Sequence, residues 1–106
     1  RGAVTQANNH STGVTLNATS GIITLAGVAL AAGAEADFAV TNNTVQADSL
    51  ILLTVQCPAS ASATNMRAAT YPNWDTSFNV RLSNPGAGDT STNAHKIHFL
   101  VINNSV

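Results

Sequence analysis

Three histidines, His10, His95 and His98, are the residues best suited to metal chemistry. His95 and His98 stand three apart in an apolar alternation. In a strand, such positions face opposite sides and cannot easily share an ion. A helix would bring them together, but Ile97 to Val101 is a poor helix former. With His10 a three-His zinc site is conceivable, as is a ring of one His about an oligomer axis. Isolated surface or interface histidines are the simpler expectation, so no metal is expected at His10, His95 or His98. Glu35 and Asp37 are two apart and share one face of a strand. That spacing could suit a calcium ion or an acid/base pair. No motif supplies further cleft partners, and the solvated face of a half-buried strand explains both. Ser and Thr abound, yet no G-x-S-x-G elbow is present. Cys57, before Pro58 at the end of an apolar run, reads as a structural thiol. Neither a dinucleotide fingerprint nor a phosphate-binding loop occurs. The chain therefore reads as no enzyme, with no cofactor.

Two surface chemistries remain. Asn-x-Ser/Thr triplets begin at Asn9, Asn17, Asn42 and Asn103. In a chain so rich in Asn, Ser and Thr, chance supplies several, and they carry little weight. Tyr71-Pro72-Asn73-Trp74, with Asp75 nearby, reads as an aromatic loop between two strands. It could stack on a sugar; Trp74 serves equally well as a core plug or interface anchor.

The elements that would position these groups repeat with period two. Val14-Thr15-Leu16, Gly21 to Leu25, Ala36 to Thr41, Phe78 to Ser83 and Ile97 to Val101 alternate or run apolar. Leu50 to Val55 is broken only by Thr54, as in a strand covered on both faces. Ala3 to Ala7 and Met66 to Tyr71 are weaker candidates. Turn chemistry at Asn8-Asn9, Asn42-Asn43, Asn84-Pro85-Gly86 and Gly88-Asp89 separates the runs. Gly27 to Asp37 is Ala-rich, but Gly33 weakens a helix there; a turn at Ala31-Ala32-Gly33 leading into a strand fits better. Pro58 to Thr64 reads as a loop of small side chains. The pattern predicts an all-β fold, an antiparallel β-sandwich or jelly roll of about eight strands.

A length of 106 residues allows one domain, spanning 1–106. Charged residues make up 8% and the net charge is -1, with only four scattered Lys plus Arg. Nucleic acid and anionic membrane surfaces both need clustered basic residues, so neither is expected as a partner. Leu25 to Ala34 is too short to span a bilayer. No basic segment of a secretory signal opens the chain, and a start at Arg1 suggests a processed product, an excised domain or a trimmed chain. One Cys rules out an internal disulfide framework. A domain this small, with no staple, is marginal alone and tends to gain stability by association. Apolar side chains of Leu50 to Val55 or of the last strand are the expected contacts: Leu50, Leu52, Phe99 and Val101.

One block is familiar as a pattern: Thr5-Gln6-Ala7, Thr12-Gly13-Val14-Thr15-Leu16-Asn17, Ser20-Gly21-x-Ile23-Thr24, and Leu30-Ala31-Ala32-Gly33-Ala34-Glu35-Ala36-x-Phe38-x-Val40-Thr41-Asn42. It resembles a small domain of tailed-bacteriophage virion proteins. Phe78-Asn79-Val80-Arg81-Leu82-Ser83-Asn84 and Ile97-His98-Phe99-Leu100-Val101-Ile102 resemble that family's closing strands. Tyr71 to Asp75 and Thr90 to His95 depart from the commoner pattern. The resemblance implies a β-sandwich, usually a homotrimer, with no enzymatic activity. It implies a capsid decoration (cement) protein on the outer capsid surface of the virion, with the major capsid protein as partner. The alternative is a receptor-binding or adhesin tip module of a head or tail fibre, for which a glycan could be the ligand.

Overall fold

The structure, a computed structural model, describes residues 2–57, 66–86 and 94–103, and of residues 71–74 only the backbone. Eight strands form: β1 (Gly2–Thr5), β2 (Val14–Thr15), β3 (Ser20–Thr24), β4 (Glu35–Thr41), β5 (Leu50–Gln56), β6 (Arg67–Trp74), β7 (Ser77–Ser83) and β8 (Lys96–Ile102). No helix occurs among the described residues. The strands make two four-stranded sheets, ordered β1-β3-β8-β5 and β2-β4-β7-β6, packed as a sandwich.

The expectation of antiparallel strands throughout fails in two places. β1 pairs with β3 in parallel, and β2 with β4 in parallel. The cause is the path of the chain. From β1 to β5 each successive strand crosses to the opposite sheet; β1 and β3, and likewise β2 and β4, run the same way and lie side by side, whereas β8 inserts between β3 and β5. The other four pairings are antiparallel.

Alternation then fills the space between the sheets. Ala36, Phe38 and Val40 of β4 and Phe78, Val80 and Leu82 of β7 point inward. They meet Ile23 of β3, Ile51 of β5 and Ile97, Phe99 and Val101 of β8. The Phe78 and Phe99 rings, one from each sheet, lie 5.6 Å apart at 60° near the middle of this core. A tilted contact of that kind adds to the burial of both rings.

Loop chemistry at both ends closes the sandwich. Gly33 has φ +73°, and β4 begins two residues later, so the Ala-rich stretch is a turn and not a helix. Tyr71 to Trp74 is not a loop: its backbone belongs to β6. The β6–β7 register shifts between Tyr71 and Trp74, where Pro72 has no N–H to give to the ladder. The hairpin turns at Asp75-Thr76 instead. Pro58 to Thr64 and Gly88-Asp89 lie outside the described residues.

Candidate functional site

The groups that suggested chemistry are dispersed by the fold. His10 is 5% exposed, in the loop after β1, and its Nε2–H donates to the Ala26 carbonyl at 3.2 Å. Burial lowers its pKa, partly offset by that carbonyl. His95 is enclosed at the entrance to β8, and its carbonyl accepts from Leu25 N–H at 2.8 Å. His98 lies on the outward face of β8, with Nε2 2.6 Å from Gln56 Oε1. Among the described residues no three His, Cys, Asp or Glu side chains gather as a ligand set. Glu35 and Asp37 share the outward face of β4, as their spacing predicts. Asp37 is joined to Arg81, its cross-strand partner, by two hydrogen bonds of 2.9 and 3.1 Å. An exposed pair of that kind is worth under about 1 kcal/mol. Cys57 is half-buried just past β5.

Polar side chains converge at one end of the sandwich, where they tie loops together. Asn42 is fully buried: its Nδ2 donates to the Ala18 carbonyl at 2.6 Å, and its Oδ1 accepts from Thr44 N–H at 2.9 Å. Asn43 N–H donates to Asn17 Oδ1 at 2.9 Å. Asn103 accepts from the Ser49 hydroxyl and donates to the Thr44 carbonyl at 3.0 Å. Asn17, Asn42 and Asn103 each begin an Asn-x-Ser/Thr triplet, and here each works as a structural clamp. These bonds account for the Asn-rich loops without any ligand.

Beside that end lies the largest departure from an ordinary surface. On the outward face of β5 and β8, Leu50 is 50% exposed, Leu52 48%, Leu100 41% and Ile102 39%. Leu50 is the register partner of Ile102, and Leu52 of Leu100, so the four make a flat two-by-two block. Leu50 to Val55 is thus not covered on both faces; one face is open. Of the four expected contact residues, Leu50 and Leu52 belong to this block. Phe99 and Val101 do not: at 4% and 5% exposure they face the core. Leu100 and Ile102 were missed. Their signal was present, because an Ile97, Phe99, Val101 face forces the intervening Leu100 and Ile102 onto the other side.

Beyond the block, the same face becomes Thr54, His98 and Ile22, and then Gln56, Lys96 and Thr24. It is an apolar margin at one end of an otherwise polar sheet. Compared with known proteins, the chain matches no family model, no curated protein and no solved structure.

Proposed function

We propose that this chain is a structural protein of a bacteriophage virion, a capsid decoration protein. In this reading it binds the outer capsid surface as a homotrimer and clamps neighbouring copies of the major capsid protein. The observation that carries the binding part is the exposed Leu50, Leu52, Leu100 and Ile102 block on a rigid two-sheet body. Four adjoining exposed aliphatic side chains give a protein partner apolar area to bury, which supports this reading. The resemblance of the sequence block to virion domains supplies the context, and no catalytic role is proposed. Three linked copies would hold several capsid subunits at once, so modest contacts multiply through effective concentration. For this role the sandwich need only be rigid and small; the strand path, jelly roll or other, does not enter.

Rebinding is the test. Purified protein should return to capsids stripped of their decoration and raise the temperature at which filled particles rupture. Binding to host cells or glycans, with no return to capsids, would replace this reading by the fibre-tip one.

A further inference from the structure

We infer that the open edge of β5 takes up an extended, uncharged segment of another protein as an added strand. This deepens the proposal above and rests on it only for the supplier of that segment, the capsid subunit.

The two sheets have four edge strands, β1 and β5 in one and β2 and β6 in the other. An exposed edge is a template for further pairing, and proteins blunt it by shortness, charge, proline or a bulge. β1 has four residues and β2 has two. β6 carries Arg67 and Pro72, and its register shifts. β5 has none of these devices: Leu50 to Gln56 holds no charge, Pro or Gly, and its register with β8 is unbroken over seven residues. Its outer edge is open. On β8, Val101 N–H donates to the Thr19 carbonyl, and the His95 carbonyl, just before the strand, accepts from Leu25 N–H, both on the β3 side. Alternation therefore directs the Leu100 and Ile102 backbone groups toward β5. Their partners Leu52 and Leu50 point back. That leaves the N–H and C=O of Ile51, Leu53 and Val55 facing outward, unpaired among the described residues.

The side chains around this edge define its occupant. From Ser49 to Cys57 and from Ile97 to Asn103 there is no Asp, Glu, Lys or Arg. A charged segment would find no counter-charge here and would lose solvation without return. Four side chains exposed by 39–50% amount to a patch on the order of 300–400 Å². A standard interface buries about 800 Å² on each side, so a flat contact between folded bodies through this patch is too small. Strand addition needs no broad face: main-chain hydrogen bonds hold the segment, and its alternate side chains select it. Apolar side chains flank the edge on both faces, exposed Leu50 and Leu52 outward and half-buried Leu53 and Val55 inward. The outward row turns polar at Thr54 and Gln56. The segment that fits is aliphatic beside Leu50 and Leu52, and polar but uncharged beside Thr54 and Gln56. A second copy of β5 does not match that pattern. Pairing two copies through the open groups over the whole strand, about a twofold axis, sets Leu53 against Leu53. Leu50 then falls opposite Gln56, and Leu52 opposite Thr54.

The experiment is amide hydrogen exchange, read residue by residue. In the free chain Ile51, Leu53 and Val55 should exchange fast, and Leu52 and Thr54 slowly. The probe is the segment Thr-Val-Thr-Val-Leu-Val-Leu, an antiparallel complement of β5, at the end of a soluble carrier. It should slow the three outward amides by at least about tenfold. The same carrier with Asp in place of both Leu should not. Leu53→Pro removes an N–H that β8 does not use, so it should keep the strand signal in circular dichroism. It should lose affinity for the probe by at least about tenfold, while Leu53→Ala, which keeps the N–H, should hold it. If Leu53→Pro fails to fold, exchange in the wild-type chain decides alone. No slowing by the probe would overturn the inference, as would equal probe binding by a folded Leu53→Pro variant. Outward amides that are slow in the free chain and become fast on dilution would also overturn it and give the edge to a second copy. Capsid rebinding by Leu53→Pro equal to wild type would overturn the capsid subunit as supplier. A wild-type chain that takes the probe but never returns to capsids would remove the decoration role and leave the edge site standing.

Discussion

Asn42 and Asn84 occupy equivalent positions at opposite ends of the β4–β7 pair. Each stands one residue past the C-terminal end of its strand, at 0% and 1% exposure. Each Oδ1 accepts the N–H two residues on, from Thr44 at 2.9 Å and Gly86 at 3.0 Å. Each Nδ2 donates to a carbonyl of a distant loop, Ala18 at 2.6 Å and Leu30 at 2.8 Å. One residue type thus turns the chain and ties a neighbouring loop across both ends. Removing either amide strands buried partners, which costs about 1–3 kcal/mol. Asn42→Ala and Asn84→Ala should each lower the denaturant midpoint by that amount with an unchanged m value. Asn42→Asp keeps the acceptor but turns an oxygen toward the Ala18 carbonyl. It should be at least as damaging at pH 7 and recover partly in acid. Stability equal to wild type in the Ala variants would show that the clamps are dispensable.

Gly21 is required by a close approach. Gly2 and Gly21 are register partners in the parallel β1–β3 pair, and Leu16 lies over both. A Cβ on Gly21 would meet Leu16 Cδ2 at 2.7 Å, and the Gly2 carbonyl oxygen and Phe99 Cε2 at 3.0 Å each. The Leu16 end can swing away; the Gly2 backbone cannot. Gly21→Ala should therefore cost about 1–3 kcal/mol, the range for overpacking. Combined with Leu16→Val, its cost should shrink, giving a coupling of at least about 0.5 kcal/mol in a double-mutant cycle. Strict additivity would place the strain elsewhere.

These cases mark what the sequence can carry. Period-two patterning marked most of the eight strands, because a half-buried strand must alternate to keep its apolar side inward, and the unbroken run Leu50 to Val55 marked β5. It could not reveal that β1–β3 and β2–β4 are parallel, since pairing depends on which sheet each strand joins. Leu50 to Val55 misled for a related reason. An unbroken apolar run is the same whether its second face is covered by its own chain or left open to another. Leu100 and Ile102 are legible from parity, since Ile97, Phe99 and Val101 take the inward side of β8. The clamping role of Asn42 was not legible, because Asn-x-Thr reads identically in an exposed loop and at a buried strand end.

His10 should make stability depend on pH. Burial lowers its folded-state pKa, against the raising effect of the Ala26 carbonyl, while the unfolded chain titrates near the ordinary 6.5. Below about 6.5 the unfolded chain therefore takes up a proton more readily than the folded one. The stabilisation from neutral His10 is complete above that pH. It is lost progressively as pH falls toward the folded pKa, and is constant below it. The midpoint of urea unfolding should drop between pH 7.5 and 5.5, and His10→Gln should drop less. Parallel pH profiles for the two proteins would mean that another group is responsible.

Thr76 holds a conformation that its own side chain disfavours. Its φ is +69°, and a β-branched residue there is strained. The turn keeps it because the neighbouring loop grips both sides of its peptide. Thr76 N–H donates to the Val45 carbonyl at 2.9 Å, and the Thr76 carbonyl accepts from Asn42 N–H at 2.8 Å. Asp75 Oδ1, next to it, accepts from Ala47 N–H at 2.8 Å. The left-handed region costs an ordinary residue about 1–2 kcal/mol, and Asn tolerates it far better. The Thr76 side chain is exposed, so replacing it disturbs no core contact. Thr76→Asn should therefore stabilise the fold by about 0.5–1 kcal/mol. For a domain of this size that is a rise of roughly 2–8 °C in Tm. Thr76→Gly should gain less, because Gly loses more backbone entropy on folding. Thr76→Val keeps the branch at Cβ and should gain nothing. Thermal melts of the three variants rank these outcomes. A lower Tm for Thr76→Asn than for wild type would show that the Thr76 hydroxyl contributes more than its backbone strain costs.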